Sequence, residues 1–262
     1  RWENTAKKQP LTVYVGLGHA ERPADYWEAY HTWAAYSNRR LGMNAAPAAT
    51  RPRKERNTQL DLGWVYAGEK TNASLSLYYA HIHDFILRLP QIGMGMNART
   101  PYGNVNARLY GFEAEVTRTV SPRWTLGASL AYTRGDDRTN DAALPQIAPL
   151  EANLTAKYSH KKMEANAVWR LVSKQNRYHR GYGSVTGTDY GPTGGFGILS
   201  LSLAYRPDEN LTFSLGVDNL LNKTYAEFVN YSEAAIPALG ISAGGHITEP
   251  GRTLWLKGSY KF

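Results

Sequence analysis

The sequence predicts an all-β chain, a transmembrane antiparallel β-barrel of about ten strands. Three observations carry that prediction. Apolar and polar residues alternate with a period of two through most of the chain; short turns alternate with long connections; and the chain is rich in Tyr and Trp without being hydrophobic overall. Aromatic residues make up 12%, with 18 Tyr and 7 Trp, while hydrophobic residues make up 42% and mean hydropathy is −0.48. No run approaches the roughly 20 apolar residues that a membrane helix needs. A barrel strand needs only about 10 residues of alternating character, which a hydropathy average hides.

The expected strands follow in order, each with the apolar set on one of its faces. Residues 9–20 present Leu11, Val13, Val15 and Leu17; residues 53–67 present Leu60, Leu62, Trp64 and Tyr66; residues 71–89 present Leu75, Leu77, Tyr79 and Phe85. Residues 103–120 present Phe112, Ala114 and Val116, and residues 122–137 present Trp124, Leu126, Leu130 and Tyr132. Then come 147–159 (Leu150, Leu154, Tyr158), 162–177 (Met163, Trp169, Leu171), 196–207 (Leu199, Leu201, Leu203, Tyr205) and 210–220 (Leu211, Phe213, Leu215, Val217). The last strand, 249–262, puts Leu254, Leu256, Tyr260 and Phe262 on one side and Thr253, Lys257, Ser259 and Lys261 on the other. A terminal aromatic on such a strand resembles the signal by which outer-membrane barrels are recognised for insertion.

The opposite faces carry Glu113, Glu115, Glu151, Asn153, Lys157, Glu164 and Arg170. A soluble sandwich would alternate in the same way, so the connections decide. Tight turns at 67–70, 120–123, 159–162 and 207–210 follow every second strand, and between them lie longer segments at about 21–52, 90–102, 138–146, 178–195 and 221–248. Short turns at one rim and long loops at the other are the pattern of an outer-membrane barrel surrounded by lipid.

Cysteine is absent, so disulfide and thiolate sites are excluded. The formal charge of +8 is spread over loops and strand ends rather than gathered with aromatics in a stripe, so no nucleic-acid partner is expected. The chain begins at Arg1 and opens on no signal peptide, which reads as a mature terminus or the edge of a fragment.

Several segments go beyond barrel character. "LGVDNLLNKTYAEF" (215–228) followed by "EPGRTLWLKGSYKF" (249–262) resembles the C-terminal signature of TonB-dependent outer-membrane receptors. "RLYGFEAEV" (108–116) and "SPRWTLGASLAYTRG" (121–135) look like the paired strands that precede it. "ALPQIAPLEANL" (143–154), "AVWRLVSKQNR" (167–177) and "DYGPTGGFGILSL" (189–201) are similar to the copper-receptor branch of that family. The resemblance implies a 22-stranded barrel with an N-terminal plug domain, energised by the TonB–ExbB–ExbD complex acting on the plug, with copper as the transported ligand and no catalytic cofactor. Against that pattern this chain has about ten strands and neither plug nor TonB box, so residues 1–262 are expected to be the C-terminal part of the barrel domain. The family's high-affinity metal site uses a plug Cys and Met with a His-x-Met pair; the sequence contains no Cys and no His-x-Met.

Among the ligand candidates, Met94 and Met96 in "GMGMN" stand out, because two thioethers at i and i+2 between glycines suit Cu(I) and reject hard cations. The other reading is that they fill gaps over the plug. His31, Met43 and His179 lie in expected outer loops as further metal contacts, or as ordinary solvated residues. His81 and His83 share a strand face and would form half a metal site, but their parity is that of the lipid-facing set unless a bulge intervenes. The lumenal carboxylates and Lys157 and Arg170 are expected to form ion pairs and plug contacts rather than acid/base machinery. Two other functions compete with copper uptake. One is a receptor for a ferric siderophore or other metallophore. The other is a complete ten-stranded surface enzyme using Asp136, Asp137, Asp141 and His179, whose spacing recommends no such chemistry.

Overall fold

The computed structural model describes residues 2–5, 10–30, 52–90, 101–184, 187–230 and 246–262. They form one antiparallel sheet: β1 (Trp2–Thr5), β2 (Leu11–Arg22), β3 (Glu55–Ala67), β4 (Thr71–Arg88), β5 (Tyr102–Thr119), β6 (Trp124–Asp137), β7 (Ala142–Ala143), β8 (Glu151–His160), β9 (Met163–Val172), β10 (Phe196–Tyr205), β11 (Leu211–Asp218) and β12 (Thr253–Tyr260). Neighbours in sequence are neighbours in the sheet, except that the two-residue β7 pairs off the main path with the end of β6. This is the up-and-down order expected for a barrel wall.

The ten expected strands all occur, with two corrections to their number and several to their ends. β1 pairs with β2 from Trp2↔Val15 to Thr5↔Thr12, and β7 lies in a segment expected to be loop. The strand expected at 147–159 begins only at Glu151, because Pro145 and Pro149 have no N–H to give a ladder. The strand expected at 162–177 ends at Val172, after which Ser173 N–H gives the Leu150 carbonyl (2.9 Å) one more bond in the β8–β9 register. The long segment after β2 opens with a short helix, α1 (Tyr26–Tyr30). Its start is fixed by a reciprocal box: Asp25 Oδ1 accepts from Glu28 N–H (2.8 Å), and Glu28 Oε2 accepts from Asp25 N–H (2.9 Å).

Register keeps the apolar sets together across strands. Leu17 faces Leu60, Leu60 faces Tyr79, and Tyr79 faces Tyr110, so the alternation of each strand becomes one continuous apolar face. That face is exposed: Leu17 is 75% accessible, Leu215 54%, Leu254 77% and Leu256 79%. Exposed apolar area on this scale is stable only against lipid or another protein. At the short-turn rim it ends in aromatics, Tyr66, Trp124, Tyr158, Tyr205 and Tyr260, with the Trp124 and Tyr158 rings 5.0 Å apart.

On the polar face, bulky rings lie over cross-strand glycines. Tyr14 pairs with Gly63, Tyr78 with Gly111, and Trp255 with Gly216. A Cβ added at these glycines would come within 2.4 Å of the Tyr14 ring, 2.6 Å of the Tyr78 hydroxyl and 2.3 Å of the Trp255 ring. The missing side chain is what lets each ring lie flat on the neighbouring strand. Among the described residues the most deeply buried apolar side chains, Leu87, Ala107, Leu144 and Phe228, collect at the long-loop end, where loops fold back on the wall.

Candidate functional site

The polar face at the long-loop end is where strand ends, loops and charges converge. Its centre is Arg170 on β9. Its guanidinium grips Glu151 of β8 through Nε (2.9 Å) and Nη2 (2.7 Å), and on its other side holds Glu227, which arrives from the loop after β11. The same guanidinium lies 5.4 Å from the centre of the Phe196 ring, which in turn packs on Tyr225. One fork thus ties two strands and a loop together. Beside it is an open recess of about 360 Å³, lined by Asn153, Arg170, Ser200, Asp218, Tyr225 and Thr253. Burial pushes the Tyr225 hydroxyl above its ordinary range, with the carboxylates of Glu249 and Glu227 adding to the shift.

The loop between β9 and β10 is organised by Asp189, which is 1% exposed. Its Oδ1 accepts from Gln146 N–H (2.9 Å) and Gln146 Nε2 (3.0 Å), and its Oδ2 accepts from His179 N–H (2.8 Å). Burial raises this carboxyl above the usual carboxylate range in spite of those donors. Gln146 takes a positive φ of 60° to present both groups. The loop is also stitched to β4, where Arg88 and Gly183 exchange backbone hydrogen bonds at 3.0 Å.

The expected ligands separate into two groups. Met94, Met96, His31 and Met43 lie outside the described residues. His179 lies within them, and differs from a solvated loop imidazole. Its ring stacks on Tyr182 with centroids 3.6 Å apart, and its Nδ1 is buried without a hydrogen-bond partner among the described residues. His246, which no sequence pattern singles out, has both ring nitrogens buried and without partners among the described residues, edge-on to Tyr190 at 5.7 Å and near Phe228 at 6.5 Å. Among the described residues no three His, Cys, Asp or Glu side chains gather closely enough to hold a metal ion.

His81 and His83 keep the parity of the exposed set. The β4–β5 ladder shifts register between Ile82 and Phe85, with Asp84 at φ 57°, so the bulge comes after His83 rather than before it. Their rings sit 4.4 Å apart on the apolar face. Of the acidic residues considered for an enzyme, Asp136 and Asp137 are committed elsewhere. Asp136 is held by Arg108 (2.6 Å), Arg134 (3.4 Å) and Arg177 (2.6 Å). Asp137 accepts from the Thr139 and Asn140 N–H groups and from Asn140 Nδ2. On the polar face Lys157 pairs with Glu164 at 2.6 Å within the wall.

The family described as "TonB dependent receptor-like, beta-barrel" matches residues 6–220. Among solved structures, the copper transporter OprC is 39% identical with a TM-score of 0.90, covering 99% of this chain and 39% of its own. A variant of the ferric enterobactin receptor of Pseudomonas aeruginosa, in complex with enterobactin, is 19% identical with a TM-score of 0.70, covering 99% of this chain and 40% of its own. The FrpB iron transporter of Neisseria meningitidis is 17% identical with a TM-score of 0.70, covering 99% and 38%. The chain therefore spans about two fifths of the structures it matches, and the last two likenesses concern the fold alone.

Proposed function

The chain belongs to the TonB-dependent receptor-like β-barrel family, and on that premise we propose that it is the C-terminal part of the barrel of an outer-membrane receptor that takes up copper or a copper complex. The observation that carries the copper reading is the contrast in similarity: 39% identity to a copper transporter along 99% of the chain, against 15–19% for the iron-siderophore receptors of the same fold. The rest of the receptor would supply the plug domain, and the TonB–ExbB–ExbD complex would act on it to drive transport.

Met94 and Met96 are the ligands we assign from this chain, with His31, Met43 and His179 as weaker contacts. A thioether is neutral and polarisable, so two of them bind Cu(I) without a charge that would also attract Mg²⁺ or Ca²⁺. The His179 Nδ1, buried and without a hydrogen-bond partner among the described residues, is compatible with a soft metal, but no three His, Cys, Asp or Glu side chains gather among those residues.

The test is anaerobic Cu(I) titration of the full-length receptor in detergent, comparing wild type with Met94→Ala/Met96→Ala. Near-stoichiometric binding that drops by one site in the double variant supports the assignment. Unchanged binding leaves a copper receptor whose ligands lie in the remainder of the protein. No copper binding, with uptake of a ferric or other metal chelate instead, overturns the copper reading in favour of a metallophore receptor.

A further inference from the structure

The recess beside Arg170 is rich in free acceptors and poor in free donors. The guanidinium of Arg170 makes four hydrogen bonds to Glu151 and Glu227, which engage all but one of its N–H groups. Asn153 gives an Nδ2 hydrogen to Glu151 (3.1 Å), and Thr253 gives its hydroxyl hydrogen to the Gly251 carbonyl (3.2 Å). The Asn153 amide oxygen, the Asp218 carboxylate and the Tyr225 hydroxyl line the recess with no hydrogen-bond partner among the described residues. Acceptors on three strands and a loop thus converge on one space of about 360 Å³.

Charge runs the same way. Asp218 lines the recess, Glu151 and Glu227 flank it on Arg170, and Glu249 stands beside Tyr225, where its N–H meets the Tyr225 carbonyl at 2.9 Å. These carboxylates face a single guanidinium in the lining; Lys223 and Arg252, close by in the chain, do not line it. The remaining wall is apolar, made by Val168, Ile198 and Pro250, with the ring of Tyr225 fixed against Phe196 at 4.4 Å.

A small cationic head on an aliphatic stem complements this recess. An ammonium brings three donors and no acceptor, and as a point charge it can meet scattered oxygens that a planar guanidinium fork cannot meet together. Its methylenes would cover the apolar wall. A bare metal ion is matched less well, because Asp218 is the one carboxylate in the lining and no imidazole stands there. We propose that the recess receives the terminal alkylammonium group of the transported ligand, so that copper arrives as an amine-bearing chelate rather than a carboxylate-bearing one.

The inference rests on the copper-receptor reading, and the experiment separates the two. The full-length receptor in detergent is dialysed against bis-amino-acid copper(II) complexes of radiolabelled lysine, norleucine or glutamate. These share one coordination and differ in a pendant ammonium, methyl or carboxylate group, and the label counts the chelate apart from any copper transferred elsewhere. Metal-free radiolabelled cadaverine is a fourth probe. Wild type is expected to retain the lysine complex about tenfold better than the norleucine complex, as a hydrogen-bonded charge at a half-open site implies, and the glutamate complex least. Asp218→Asn, at an exposed position without a partner among the described residues, should fold normally on unboiled gels and hold the lysine and norleucine complexes within about twofold of each other. Tyr225→Phe should lose part of the preference. Equal retention of the lysine and norleucine complexes by wild type overturns the proposal, as does a preference that survives in folded Asp218→Asn. Rejection of all four probes, with a lower melting temperature for Asp218→Asn, overturns it too, since a cation from the rest of the receptor then fills the recess. Retention of cadaverine that depends on Asp218, with no copper complex held, supports the ammonium site and overturns the copper reading instead.

Discussion

Replacing Arg170 with alanine removes the one group that joins Glu151 and Glu227. The guanidinium is 29% exposed, and the two carboxylates are 32% and 21% exposed, so the cluster is neither solvent-screened nor dry. An exposed pair is worth about 0–1 kcal/mol and breaking a fully buried one costs about 3–5. Partial exposure places the loss for the Glu227 link at about 2 kcal/mol, augmented slightly by repulsion between two carboxylates left without their counter-ion. Two kcal/mol corresponds to about a thirtyfold rise in the fraction of molecules whose 221–230 loop has left the wall. A Glu-specific protease acting on the full-length receptor in detergent reads that fraction as the rate of cleavage after Glu227, provided opening and closing are fast relative to cleavage. Arg170→Lys, which keeps the charge but not the fork, should fall between the two. Cleavage of Arg170→Ala within twofold of wild type would refute the argument, and would mean that Phe228, 2% exposed beside the link, holds the loop by packing alone.

Gly63→Val should prevent Tyr14 from lying across β3 and cost several kcal/mol, seen as a loss of the heat-modifiable folded band on unboiled gels, whereas Gly18→Val, with nothing within 4 Å of its Cβ position, should fold normally. Glu164→Gln should change barrel stability by no more than about 1 kcal/mol, because its partner Lys157 is 46% exposed; a large loss of folded protein would contradict this. The raised Asp189 carboxyl keeps its proton to a higher pH in the folded loop than in an unfolded segment, so its contribution favours the folded loop at low pH and is lost as pH rises through the raised value. Hydrogen exchange over residues 187–195 should therefore be slowest, after correction for intrinsic rates, below the usual carboxylate range. Asp189→Asn should flatten that dependence while opposing one donor to the His179 N–H.

Much of the wall is legible in the chain because the code of a strand is local. A period of two assigns each residue a face, and short turns such as 67–70 and 120–123 set which strands pair, so Tyr79, Tyr110 and Tyr132 come to one surface without any long-range information. Prolines 145 and 149 already carried the signal that β8 starts late, and it was outweighed by the apolar alternation around them. His81 and His83 were placed correctly by parity alone. His179 was legible only as a loop residue, since its stacking on Tyr182 and buried Nδ1 depend on how the loop folds.

What determines the rim is of another kind. Arg170 meets Glu227 across 57 residues, Gln146 meets Asp189 across 43, and Arg177 meets Asp136 across 41. No repeat or spacing links the members of these pairs, because each contact depends on where a long loop returns to the sheet. The same holds for Asp136: Arg108, Arg134 and Arg177 come from two strands and a loop, and only the β5–β6 register and the return of that loop bring them to one carboxylate. Alternation thus fixed in advance which side of the wall each strand residue occupies, while strand register and loop return decided which charges meet.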